Sequence, residues 1–392
     1  MNKARLRARP ARASGNGVVV GVRSQRGAWV VEFMSEPRNG PECLWFNLEC
    51  TGAGDRKVRF VWLNVHLCLG TGSAEAMANL RPVLRLDNGD WQRVRGVEVH
   101  QRRLGGHYVT FSTPTRCRRV AAAFCYPYGP AEMGATLKET KGFWGLERIG
   151  LTQKGREIVR LHAEADRARR GRPGAYIMAR QHSGETPGSW VLDGILRAVA
   201  GEEPGERLRR IDWWIVPFVD LDGVVEGNYG KDSLPIDFNR AWARMPMRPE
   251  VAAIQKDIRY FAQDRTRRLV VDLHAPGGGE TNLYQMHCRK DRPKAERTAS
   301  QSFNSYFSAQ FPEQSPDRLG VEPKYASRWD LGHSLSSWTW DELDNTLGVT
   351  IETAYQLMND GRWGERGDYR NVGHRIARAA AAWLTRRPAK SR

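Results

Sequence analysis

Two hydrophobic rhythms divide the chain. Between residue 18 and about 130 the apolar runs are short and rich in aromatic and β-branched residues: Val18–Val20, Ala28–Val31, Leu44–Leu48 and Val58–Leu63, then Trp91–Val99 and His107–Phe111. Gly, Pro, Asn and Asp separate them, which reads as strands joined by turns. Regular short strands of this kind predict an antiparallel β-sandwich. From about residue 145 the rhythm changes. Near-continuous apolar runs at Ala175–Ala179, Ile211–Val216, Leu269–Leu273 and Gly348–Ile351 predict buried strands, and Glu157–Leu161 reads as a strand or as part of a helix over 153–170. Leu192, Ile195, Leu196 and Val199 fall on one helix face, as do Val251, Ile254, Ile258 and Phe261, and Val372, Ile376, Ala380 and Trp383. The fold class expected is α/β: an N-terminal antiparallel β-sandwich followed by a mixed-sheet α/β domain with helices on both faces.

Punctuation places the boundary. Phe124–Pro130 holds two prolines and a glycine before the rhythm changes, so we expect a β-sandwich over 18–130 and the α/β domain over 131–386. Met1–Gly17 carries Lys3, Arg5, Arg7, Arg9 and Arg12, with no acid and no apolar segment after it. It is expected to be a disordered basic tail rather than a secretory signal, and 387–392 a second basic tail.

Composition narrows the class. At 40% hydrophobic and 27% charged residues the chain reads as an ordinary globular protein. No run of about 18 apolar residues occurs, so no membrane span is expected. The six cysteines form no Cys-x-x-Cys pair and are expected as free, mostly buried thiols in a reducing, cytoplasmic setting. The net charge of +17 suits an acidic partner, but arginine is scattered throughout, and no helix-turn-helix or zinc-finger spacing supports nucleic acid.

The candidate chemistry lies at the strand ends. The 175–179 strand runs into Gln181-His182-Ser183-Gly184-Glu185-Thr186-Pro187-Gly188-Ser189-Trp190. By itself His-x-x-Glu is half a zinc site, or a polar turn that caps a helix. The next buried strand ends in His274 and then Ala275-Pro276-Gly277-Gly278-Gly279, and the 348–351 strand ends in Glu352. Ligands of open α/β sheets sit beyond the carboxyl ends of the strands. His182, Glu185 and His274 make a two-His, one-Glu set with room for water, as in catalytic zinc sites. Glu352 supplies a carboxylate to take and return a proton. In Asp237-Phe238-Asn239-Arg240-Ala241-Trp242, Arg240 offers a planar fork for a substrate carboxylate with Asn239 beside it, and Asp237 suits a partner for a ligating histidine. His66, His100 and His107 read as structural.

This set resembles the zinc carboxypeptidases of the M14 family, and within it the cytosolic-carboxypeptidase-like branch. The closer likeness rests on His182–Trp190, on Val216-Pro217-Phe218-Val219-Asp220-Leu221-Asp222-Gly223-Val224, and on Tyr126-Pro127-Tyr128. It covers about residues 120 to 385. The resemblance implies zinc on His182, Glu185 and His274, a substrate C-terminal carboxylate on Asn239 and Arg240, Glu352 as general base and then general acid, and Asp237 orienting a zinc histidine. It also implies a β-sandwich ahead of the enzyme domain. Two positions depart from the family pattern. Where an oxyanion-stabilising arginine is expected, this chain reads Asn228-Tyr229-Gly230-Lys231-Asp232, leaving Lys231 as the candidate, a point charge without the fork. Where glutamate-removing members carry a basic residue, it reads Leu335-Ser336-Ser337-Trp338, which puts glutamate specificity in doubt. For the substrate-capping tyrosine the candidates are Tyr355 and Tyr325.

The expected function is metallocarboxypeptidase action on the C-terminus of a peptide or protein tail. Two alternatives stand beside it: a zinc amidase or deacylase acting on a small carboxylate-bearing substrate or cell-wall peptide, and a non-catalytic basic binding protein.

Overall fold

The computed structural model describes residues 5–386 apart from 104, 164–170, 202–204, 244, 246, 264–265, 287, 289, 315–318, 322–332, 357 and 359–360. Two five-stranded sheets form the N-terminal part. One is ordered β1 (Arg7–Pro10), β4 (Asn47–Arg56), β10 (Cys117–Ala123), β6 (Val83–Leu86), β7 (Trp91–Arg93). The other is ordered β2 (Val18–Gln25), β3 (Ala28–Met34), β5 (Val58–Trp62), β9 (His107–Ser112), β8 (Glu98–Gln101). Pairing is antiparallel except between β3 and β5, which run parallel. Phe33, Phe46, Phe60, Trp62 and Phe111 meet ring to ring in the core, mostly edge-on, as aromatic quadrupoles favour.

Three N-terminal expectations change. Arg7–Pro10, expected within a disordered tail, pairs as β1 with Leu48–Thr51 of β4, because that neighbour otherwise leaves a row of unpaired backbone groups. The strand expected at Leu44–Leu48 starts only at Asn47, after Leu44, Trp45 and Phe46 have entered the core. The run Trp91–Val99 is two strands belonging to different sheets, β7 and β8, interrupted around Gly96. In the Phe124–Pro130 segment, expected as the boundary, Phe124, Cys125, Tyr126 and Tyr128 are buried, and one continuous apolar cluster runs through them from both parts of the chain. The segment 387–392, expected as a basic tail, lies outside the described residues.

The α/β part is built on a mixed eight-stranded sheet. Its order is β11 (Trp144–Leu151), β12 (Glu157–Ala163), β14 (Asp212–Val216), β13 (Gly174–Ala179), β15 (Arg268–His274), β18 (Thr346–Thr353), β16 (Leu283–Met286), β17 (Gly320–Val321). The central strands β14, β13, β15 and β18 are mutually parallel. Every residue of β13, β15 and β18 is buried, which accounts for their near-continuous apolar runs. Glu157–Ala163 is a strand, paired antiparallel with β11 in a long hairpin. Helices Thr186–Ala200 and Arg366–Leu384 pack together on one side, while Pro249–Phe261 contributes to a second core with Tyr176, Val216, Val270 and Trp338. Among the described residues no helix is long and apolar enough to cross a membrane.

One arginine ties the two parts together. From β7, Arg93 donates to the carbonyls of Tyr355 at 2.9 Å, Gly364 and Arg81, to Gln356 Oε1 at 3.0 Å and to Tyr369 Oη at 2.9 Å, and it lies over the Tyr126 ring. These bonds hold the chain just beyond β18. Removing a charged partner from such a network strands several buried acceptors. Arg93→Ala is therefore expected to lower stability by about 3 kcal/mol or more in urea unfolding, with Arg93→Lys, which keeps the charge but not the fork, falling between it and the parent.

Candidate active site

The parallel sheet delivers the candidate residues to one edge. After β13 the chain turns sharply: Arg180 adopts a left-handed φ of 66°. Its buried guanidinium donates to the carbonyls of Ser183 and Tyr128 and to Ser189 Oγ at 3.1 Å. That fixes the turn carrying His182. Gly230 (φ 93°) lies so close to the turn that a Cβ there would stand 2.5 Å from the Ser183 amide nitrogen, so only glycine fits. Glu185 is the N-cap of helix Thr186–Ala200, where the helix dipole favours a carboxylate, and Pro187 starts that helix with its fixed φ.

His182, Glu185 and His274 converge, all buried. His182 Nδ1 and His274 Nδ1 are 3.1 Å apart, and each lies 2.9 Å from a Glu185 oxygen. Two histidine nitrogens that share one tetrahedral zinc ion at about 2.0–2.1 Å stand about 3.4 Å apart. The outer nitrogens are equally informative. His182 Nε2 lies 3.1 Å from both Asp237 oxygens, and His274 Nε2 lies 2.7 Å from Asp272 Oδ2. A carboxylate behind each ring holds the proton on Nε2 and turns the Nδ1 lone pair inward. Two inward lone pairs and a carboxylate, with the outer nitrogens accounted for, fit zinc.

The surrounding groups lock this arrangement. Asp237 accepts the amides of Asp232 and Asn239 at 2.8 Å each. Gln181 donates to Asp272 and accepts from Trp242 Nε1 at 2.7 Å. Glu185 also accepts the Ala275 amide at 3.0 Å. Lys231 is drawn inside: its Nζ lies 3.0 Å from Glu185 Oε1 and donates to the Ala275 carbonyl at 2.9 Å. Burial alone would raise the Glu185 carboxyl, but Lys231, His182 and His274 hold it well below the usual carboxylate range. Burial opposes charge on His274 and His182 as well, yet Asp272 and Glu185 push the first up, and Asp237 and Glu185 the second.

Glu352 sits directly across from His274 in the parallel register of β15 and β18. Burial raises its carboxyl, with Lys231 and His274 pulling the other way, and its Oε2 makes no hydrogen bond among the described residues. Asn239 and Arg240 stand at the rim, on a turn capped by Asp237. Asn239 Nδ2 lies 3.2 Å from His274 Nε2, its Oδ1 accepts the Leu335 amide at 3.3 Å, and Arg240 donates one nitrogen to the Asn239 carbonyl at 2.8 Å. The stretch Leu335–Trp338 begins a helix, Leu335–Glu342, against this rim. Tyr355 is fully buried, edge-on to Phe124, with its carbonyl held by Arg93, and is not at the rim. Tyr325 lies outside the described residues. His66 and His100 bond the His107 carbonyl and Thr110 within the sandwich, in keeping with structural roles.

Asp272 and Arg180 were not singled out from the sequence. Asp272 was detectable: an Asp two residues before a ligating His on one strand faces the same side. Arg180 had no signal beyond being a charge at the end of an apolar strand.

Comparison with known proteins agrees with this geometry. Residues 131–300 match the family model for zinc carboxypeptidases, peptidase M14; the match ends before Glu352. Cytosolic carboxypeptidase 6 of Caenorhabditis elegans is 26% identical over 254 residues, which cover 59% of this chain and 54% of that protein. Human cytosolic carboxypeptidase 1 is 37% identical over 123 residues, 30% of this chain and 10% of that one. The chain thus spans about half the length of the first relative and far less of the second. The fold as a whole matches a metallo-carboxypeptidase from Burkholderia cenocepacia, with a TM-score of 0.78 at 21% identity over 97% of this chain and 98% of that one. A metallo-carboxypeptidase from Pseudomonas aeruginosa gives a TM-score of 0.76 at 20% identity, over 96% and 98%.

If the outer carboxylates set the two imidazoles, Asp272→Asn and Asp237→Asn should each weaken zinc binding about 10- to 100-fold in competition with a chromophoric chelator, while the far-ultraviolet circular dichroism stays unchanged. Unchanged zinc affinity in both would remove the carboxylates from the metal site. Residues 131–300, which hold the buried His-Glu-His cluster, thus match the zinc carboxypeptidases of the peptidase M14 family, and the chain shares its fold with solved metallo-carboxypeptidases.

Proposed function

We propose that the protein is a zinc-dependent metallocarboxypeptidase that removes the C-terminal residue of a peptide or protein tail. The observation that carries this reading is the pairing of two buried Nδ1 atoms 3.1 Å apart with a carboxylate, Glu352, in register beside His274, whose Oε2 makes no hydrogen bond among the described residues. His182, Glu185 and His274 would hold the zinc, which supplies Lewis acidity that acidifies water and polarises a carbonyl. Glu352 takes the proton from the attacking water and returns it to the leaving amine. Arg240 and Asn239, at the rim, bind the free carboxylate of the terminal residue, for which a guanidinium fork is the matching donor. Lys231 keeps a positive charge beside Glu185 and is the candidate for stabilising the developing oxyanion. Asp237 and Asp272 orient the two histidines.

The substrate is a free C-terminus. The formal charge of +17 suits an acidic tail over a basic one. Five of the six cysteines are buried and all are free, which fits a reducing cytoplasmic location. The sequence holds no helix-turn-helix or zinc-finger spacing that would favour nucleic acid.

The test is a mass-spectrometric product scan of zinc-loaded protein against peptides with free and with amidated C-termini. Single residues should be lost from free ends only, and a chelator should stop the loss. Cleavage of amidated peptides, or of none while small N-acyl amino acids are hydrolysed, would replace this reading with the amidase. On a cleaved peptide, Glu352→Gln is expected to keep its zinc and lose about 10²- to 10⁴-fold in kcat. Arg240→Ala should raise KM about tenfold to a hundredfold, the worth of a charged hydrogen bond of about 1.5–3 kcal/mol, and should leave kcat less affected.

A further inference from the structure

We infer that Cys43 and Cys68 form a second reactive site, a thiol pair that closes to a disulfide on meeting a hydroperoxide and in doing so loosens the glycine loop next to His274. The pair stands apart from the other cysteines. Cys43 Sγ and Cys68 Sγ are 3.7 Å apart, both buried, in a polar pocket made by Asn64. Asn64 Nδ2 points at Cys43 Sγ from 3.8 Å, and Cys68 Sγ lies 3.5 Å from the Asn64 carbonyl. The two thiols are not equivalent. Hydrogen bonding from Cys68 pulls the Cys43 thiol down against the opposing effect of burial, while burial pushes Cys68 well up. The Asn64 amide donor faces Cys43 Sγ, where it favours a thiolate, and the Asn64 carbonyl faces Cys68 Sγ, where it favours the thiol, so Cys43 is the nucleophile and Cys68 the resolving thiol.

The chemistry closes on itself. The Cys43 thiolate attacks one peroxide oxygen, the O–O bond breaks, and the alkoxide leaves and takes a proton, so that Cys43 becomes a sulfenic acid. The Cys68 sulfur then attacks Cys43 Sγ, the S–O bond breaks and water leaves with the thiol proton. Two thiols are oxidised by two electrons, and the hydroperoxide is reduced to an alcohol and water. A disulfide needs the sulfurs about 2.05 Å apart, so closure draws the two segments together.

Both segments rest on the loop that follows the His274 strand. Leu69 donates its amide to the Cys43 carbonyl at 3.4 Å. Next to Cys68, the Leu69 and Gly70 carbonyls accept the amides of Gly278 at 2.8 Å and Gly279 at 3.1 Å. Gly70 lies against Gly277 so tightly that a Cβ on it would stand 2.5 Å from the Gly277 Cα. Next to Cys43, the Leu44 side chain fills the space over Gly278. Gly70 and Gly277 meet backbone to backbone, and Leu44 bears directly on Gly278, so a shift at Cys43 or Cys68 reaches the 277–279 backbone. The inference does not depend on the peptidase reading.

The test uses full-length, zinc-loaded protein treated with hydrogen peroxide, blocked with N-ethylmaleimide, digested and mapped by mass spectrometry, with hydrogen exchange followed over residues 275–280. The expected product is a Cys43–Cys68 linkage, two hydrogens lighter and reversed by a reductant, accompanied by severalfold faster exchange of the Gly278 and Gly279 amides. Cys43→Ala and Cys68→Ala, made separately, should each abolish both changes, so one folded variant is enough. Linkage between other cysteines such as Cys50 and Cys117, sulfinic or sulfonic products alone, or a Cys43–Cys68 linkage with unchanged exchange would each overturn the inference.

Discussion

A wholly buried carboxylate sets the terms for the rest of the α/β part. Taking Glu185 out of water costs several kcal/mol unless charge and hydrogen bonds replace the solvent. Here the replacement comes from four groups in three parts of the chain: His182 on the same turn, Lys231 from the loop after the helix Leu221–Glu226 that follows β14, and His274 and the Ala275 amide from the end of β15. Each of these must arrive within about 3 Å for Glu185 to stay ionised. The demand for neutralising partners therefore fixes how three strand ends meet. It also explains why the ligands themselves are braced, with Asp237 and Asp272 behind the histidines and Gln181 and Trp242 behind Asp272.

Sheet register does the remaining positioning. Strands β15 and β18 are parallel neighbours, and their pairing sets His274 beside Glu352 and Asp272 beside Thr350. Because side chains alternate between faces, a shift of one residue would send Glu352 to the opposite side. A proton-accepting group and a metal-binding group are thus held together by backbone hydrogen bonds, without a dedicated contact between the two side chains.

The sequence was most readable where burial dictated it. The central strands β13, β15 and β18 are buried on both faces, so their apolar runs stood out, and the polar residues ending them drew notice because such strands rarely end in His or Glu by accident. Other elements were hidden for physical reasons. Helix Lys294–Ser308 buries Glu296 and Ser300 alongside Phe303 and Phe307, since Gln285 and Cys288 supply polar partners, and this breaks the apolar periodicity. β4 contains Gly52, Gly54 and several polar residues, weak strand formers that hold their place only because β1 and β10 flank them. Lys231 was readable as a candidate, but its position against Glu185 was not. Arg93 gave no warning at all, because its partners in the α/β part lie more than 260 residues further on.

The buried junction at Phe124–Tyr128 bears on how the chain is made. Its carbonyls at Tyr126 and Tyr128 are claimed by Trp190 and Arg180, its Phe124 ring by Tyr355, and its Tyr126 hydroxyl by Glu365. A ribosome releases those partners long after the first 130 residues have emerged. The nascent N-terminal sheets must therefore carry an apolar, unfinished edge through most of translation. Contacts of such long sequence separation form slowly, so the final burial of this edge waits for the strand carrying Glu352 and the helix after it. The β-sandwich, first to be synthesised, is among the last parts of the molecule to be completed.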